Sequence, residues 1–169
     1  MIDKELTELL VVLKSELETG EELLKISKSQ KHCIKNSDLN ELKVNVDNSE
    51  DLLVKIMNME DERRRIILNI SSILNIPCEK LTISEIIKNS KRENSMKVRE
   101  LDNVKKRLSS VFNELMTFSK INQYLISRTL RFMGDRMKVL NYSLRKNNTY
   151  GAKGLREKTK EPAIINKKI

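Results

Sequence analysis

Residues 101–125, LDNVKKRLSSVFNELMTFSKINQYL, set Leu101, Val104, Leu108, Val111, Leu115, Phe118, Asn122 and Leu125 at alternating steps of three and four. That spacing keeps side chains on one face of a 3.6-residue helix and makes a seam for packing against other helices. After a shift of phase the seam resumes as Leu130, Met133, Met137, Leu140 and Leu144, with no proline anywhere along it. The pattern predicts one long helix of about 54 residues, starting near Lys91.

Working outward, the same periodicity appears twice more. Leu39, Leu42, Val46, Ser49, Leu53, Ile56, Glu60, Arg63, Ile67, Ile70 and Leu74 predict a helix over about residues 38–75. Leu6, Leu10, Leu13, Leu17, Gly20, Leu24, Ser27, Lys31 and Ile34 predict another before it, broadened by Leu9, Leu23 and Ile26. The first two helices break near KNSD, residues 35–38, where Ser37 is the expected N-cap. Pro77 closes the second helix, because it lacks an N–H and restricts its predecessor. Thr82 and Glu85 in TISE form a capping box for a short helical turn through Ile86 and Ile87.

Two prolines and four glycines supply too few turns for a barrel or sandwich of short strands. The expected fold is therefore all-α: an elongated antiparallel bundle of three long helices with coiled-coil-like packing, the third longest. A helical domain over residues 1–149 precedes a flexible basic tail over 150–169, where periodicity is lost and Lys is frequent. The apolar runs are too short to span a bilayer, and the acidic start MIDKELTELL is unlike a secretory signal, so a cytoplasmic location is expected. Cys33 and Cys78 suit a reducing compartment.

Net charge is +9 and belongs to the second half: residues 1–90 carry −4, residues 91–144 carry +7 and residues 145–169 carry +6. A basic half of this kind suits weak, salt-sensitive binding of nucleic acid, yet its bases alternate with apolar residues and no recognisable nucleic-acid module is present. No glycine-rich phosphate loop follows a strand, and His32 beside Cys33 has no matching ligand pair near Cys78. Adjacent side chains on a helix point about 100° apart, which removes a Cys–His catalytic pair. No enzyme activity, metal or cofactor is expected.

Length points to a different activity. At 1.5 Å per residue the three helices would span about 48, 57 and 80 Å, so the third has a surplus of about 20 Å. With nothing to bind, that surplus should be polar. Instead 17 of 34 residues from Val111 to Leu144 are apolar, against 5 of 20 from Lys91 to Ser110. An apolar stripe that widens in this way predicts a surface for a partner's amphipathic helix. Leu125, Leu130, Phe132, Met133, Met137 and Leu140 are the expected contacts, with Asn122 selecting register by hydrogen bonding. The alternative is a self-associating helical protein that covers the stripe with a second copy.

SEDLLVKIMNMEDERRRIILNI at 49–70, INQYLISRTLRFM at 121–133 and TYGAKG at 149–154 resemble the FlgN family of flagellar export chaperones. The likeness runs over most of residues 5–154, with one departure at Ser119, where family members often carry Asn. The resemblance implies a non-catalytic cytoplasmic chaperone that wraps the C-terminal helical segments of hook-associated proteins one and three. It further implies delivery of those clients to the flagellar type III export gate. Tyr150, with Gly151, matches the family's contact with the cytoplasmic domain of that gate.

Overall fold

The computed structural model describes residues 2–90 and 95–147, with side chains of the last helix described through residue 142. All regular structure among the described residues is helical: α1 (Ile2–Asn36), α2 (Leu39–Leu74), a 3₁₀ turn (Cys78–Lys80), α3 (Ile83–Ser90) and α4 (Ser95–Asn147). The chain forms two compact units, Met1–Ile126 and Ser127–Ile169, with α4 contributing to both. The expected domain boundary at residue 150 lies outside the described residues, as do Tyr150 and Gly151.

In the first unit, α1 and α2 run antiparallel. Asn69 Nδ2 donates to Glu5 Oε2 near one end, and Gln30 Nε2 donates to Ser49 Oγ near the other. The turn between them corrects the expected cap. Ser37 takes a left-handed φ of 58° and ends α1, while the Asp38 N–H donates to the Cys33 carbonyl at 3.0 Å. Asp38, not Ser37, is the N-cap of α2: its Oδ1 accepts from the Glu41 N–H at 3.1 Å. The three-residue spacing from Asp38 to Glu41 fits a cap, and the four-residue spacing from Ser37 does not. At the other end of α2, Asn75 is left-handed and the Ile76 N–H donates to Ser71, two residues' length before Pro77 prevents continuation. Thr82 caps α3 as expected, its Oγ1 accepting from the Glu85 N–H.

α4 runs parallel to α1 within this unit. Lys14 pairs with Glu100, Glu21 with Arg107 and Lys28 with Glu114, each pair one heptad beyond the last. These exposed pairs contribute little stability, but they mark a constant register. Gly20 lies where the two helices approach: a Cβ there would stand 3.3 Å from Val111 Cγ1. The core is built from all the helices of the unit, with Leu9, Leu13, Ile70, Ile86 and Leu101 fully buried.

The buried seam of α1 is the predicted one, with Leu6, Leu10, Leu13, Leu17, Gly20, Leu24 and Ile34 all buried. Every second position of the α2 seam is the expected one, with Leu42, Ser49, Ile56 and Arg63 partly buried and Ile70 buried, while the positions between them move by one residue. Asn45, Leu52 and Met59 face inward where Val46, Leu53 and Glu60 were expected, and Ile66 is buried beside the expected Ile67, which is partly buried. Adjacent apolar pairs at 52–53 and 66–67 make the two phases nearly equal in burial. Polar partners on α1 decide between them: Asn45 Nδ2 donates to Ser29 Oγ at 3.0 Å, and Met59 replaces a glutamate on the inner face.

Candidate functional site

The second unit contains the last 21 residues of α4. Leu130, Met133, Met137 and Leu140 follow one another at steps of three, four and three, which holds them within about 80° of the helix surface. Each is more than half exposed, from 52% for Met133 to 63% for Leu130. Burial therefore does not explain why this face is apolar. Arg, Lys, Leu and Met are all strong helix formers, so the segment has the local propensity to hold the stripe in register. The Lys138 ammonium approaches Asp135 Oδ1 at 3.3 Å along the polar side.

Helical geometry divides the seven residues predicted for partner contact. Phe132 stands about 120° away from the stripe, and the Arg136 guanidinium sits 4.5 Å from its ring centre. Val139, one heptad on and also exposed, shares the side of Phe132. Leu125, in the first unit, is half-buried. Asn122 differs most, being buried with its Nδ2 donating to the Ser27 carbonyl at 3.0 Å and reaching Gln30 Oε1 at 3.4 Å. The amide expected to set a partner's register is committed to α1. Its Oδ1 is buried without a hydrogen-bond partner, a cost accepted where the polar group fixes register.

Gly134 adds to the description of this surface. Nothing lies within 4 Å of where its Cβ would be. A glycine inside a helix costs about 1 kcal/mol relative to alanine, and no contact among the described residues requires it. Open backbone at that point gives another chain room to approach.

Sequence reading did not reveal the buried charge of the first unit. Glu16 is almost wholly enclosed, with Arg63 Nε 3.1 Å from its Oε1 in an ion pair that lacks hydrogen-bond alignment. Arg63 also lies 3.9 Å from Glu60, which is half exposed. Glu60 thus reaches water, while Arg63 is drawn partly inward toward Glu16. The signal was absent because Glu16 lies beside the α1 seam in a run that otherwise resembles a solvated face.

Burial raises the Glu16 carboxyl above its ordinary range, Arg63 opposes the rise, and Glu60 adds to it. A carboxyl whose pKa is higher folded than unfolded favours folding most at pH below the unfolded value. That contribution is lost as pH rises through the folded value. Glu16→Gln removes this titration while keeping shape. Its unfolding midpoint at neutral pH is expected to equal or exceed that of the parent chain. The parent should recover ground on the variant as the pH is lowered through the carboxylate range. Thermal melts of both chains across a pH series check the sign.

No helix among the described residues is long and apolar enough to cross a membrane. Compared with known families, the chain matches a model described as FlgN protein over residues 1–158. No curated protein and no solved structure matches it.

Proposed function

The chain belongs to the FlgN family, a family of flagellar export chaperones and not of enzymes, and from that premise we propose that α4 clamps a client's terminal helix. The clients are the C-terminal helical segments of hook-associated proteins one and three. Binding in the cytoplasm keeps those segments from assembling early, and the complex then passes to the type III export gate. The observation that carries this reading is the exposed row Leu130, Met133, Met137 and Leu140 on the second unit.

An amphipathic client helix would bury that row in a groove-type contact, with the unbranched methionines repacking around differing client side chains. Leu125 in the first unit and Phe132 on another side of the second are proposed as further client contacts. Asn122 acts at one remove, holding α4 in register with α1 within the first unit. No step of bond making is involved, and no cofactor enters.

Mixing the purified full chain with a purified client C-terminal segment tests the proposal. A stable complex by light scattering, lost when the client's apolar helical face is made polar, is the expected result. Failure of both hook-associated segments to bind would reject it. Tyr150 and Gly151 are assigned to gate docking. Tyr150→Ala should therefore leave client capture unchanged while lowering secretion of the client by about tenfold or more, the equivalent of losing about 1.4 kcal/mol at one contact. Quantifying secreted and retained client in a complemented strain separates the two effects.

A further inference from the structure

Within the first unit, α4 is attached in two different ways. Up to Val111 it supplies buried apolar side chains to the core, and Phe112 and Leu115 pack against that core from its edge. Beyond Leu115 this ends. Among residues 116–126 Asn122 alone is buried. Phe118, Ile121 and Leu125 are partly buried, and none of them belongs to the core cluster or packs against it.

The specific contacts that tie this stretch to α1 are polar. Asn122 Nδ2 donates to the Ser27 carbonyl at 3.0 Å and reaches Gln30 Oε1 at 3.4 Å. The Lys28 and Lys31 ammonium groups stand 5.4 and 5.5 Å from the centre of the Phe118 ring. Gln30 gives its own amide hydrogens to α2, at Ser49 Oγ and the Asn45 carbonyl, and Asn45 donates to Ser29 Oγ and Cys33 Sγ. The α1–α2 hairpin is thus closed at this end by hydrogen bonds in which α4 takes no part. Asn122 both holds α4 down and weakens its hold. Its Oδ1 is buried without a partner, so the closed arrangement carries a desolvation cost that contact with water removes. Lifting the stretch exchanges the bonds of Nδ2 for bonds to water and further exposes three side chains that already reach the surface.

We propose that residues 116–126 of α4 form a strap, latched to α1 by Asn122, that lifts from the α1–α2 hairpin while the apolar core stays closed. The hinge falls after Leu115, the last residue of α4 to pack against the core. The α1–α2 pairing is kept in the lifted state, because Gln30 and Asn45 bridge those two helices directly. The strap is a property of the free chain and stands without the proposed function. One consequence rests on that reading: lifting bares Phe118, Ile121 and Leu125, and so brings Leu125 within a client's reach.

Native-state amide exchange of the full chain over a series of low denaturant concentrations tests the strap. Freed from α1, residues 116–126 keep their helix by local propensity alone, which is marginal for so short a stretch. Their amides should therefore exchange about tenfold or more faster than those of 98–111 in the same helix, with a weaker dependence on denaturant. Asn122→Asp keeps the shape and sets a carboxylate against two oxygen acceptors, the Ser27 carbonyl and Gln30 Oε1. It should speed exchange over 116–126 by a further factor of about ten, and change 98–111 by less than about twofold. Asn122→Leu, which replaces the buried amide with an apolar group, should slow exchange over 116–126. Equal rates and denaturant dependence for the two stretches in the parent chain would overturn the proposal. So would an Asn122→Asp effect of the same size on both, or faster exchange of 116–126 in Asn122→Leu. All these measurements are made without a client, so the strap and the client reading fail separately.

Discussion

Replacing Met133 and Met137 together by glutamate is expected to abolish capture of a hook-associated C-terminal segment while leaving helicity and the thermal midpoint of the first unit unchanged. Both methionines are more than half exposed, so folding gains little from them. Burial against a client would gain about 1.5–3 kcal/mol for each side chain. Losing both, and placing two carboxylates in an apolar groove, should weaken binding by more than about a hundredfold. Titration of the client segment into parent and variant chains measures the ratio. The same pair changed to leucine should retain binding within about tenfold, because volume and polarity are nearly conserved.

Leu13→Ala should have the opposite profile. Leu13 is fully buried in the core cluster shared by α1, α2, α3 and α4. Truncating such a leucine leaves a cavity and costs about 2–5 kcal/mol, a large share of the roughly 5–15 kcal/mol that holds a domain together. The midpoint of the first unit should fall by about 10 °C or more, read by calorimetry or far-UV circular dichroism. Client affinity measured well below that midpoint should change little. The two variants together separate residues that build the protein from residues that meet its partner.

The helices were legible in the sequence because their signals were long and redundant. The seam of α1 repeats through nine positions, and the capping box at Thr82 gives a start that no competing residue imitates. The seam of α2 was legible in period and ambiguous in phase. Doublets at 52–53 and 66–67 let either neighbour serve as the inward residue. The arbiter at residue 45 was the polar contact of Asn45 to Ser29, which depends on α1 lying alongside and leaves no local trace. Placing the seam at Leu39, Val46 and Leu53 also hid the fact that these three are exposed.

The candidate site was legible as an excess of apolar residues late in α4, but its membership was not. Reading apolar residues as one group joined Phe132 to Met133, although neighbours on a helix point about 100° apart. Asn122 was identified as a register-setting amide and is one, toward α1. A polar residue on a seam shows that something must be hydrogen-bonded; it does not show to which neighbour.

Amide hydrogen exchange of the full chain, with and without the client's C-terminal segment, tests the central claim most directly. Client binding should slow exchange across residues 127–142 and leave the amides of α1 and the C-terminal half of α2, already protected by the core, at their former rates. Protection confined to the first unit, with 127–142 exchanging as fast in the complex as in the free chain, would contradict it.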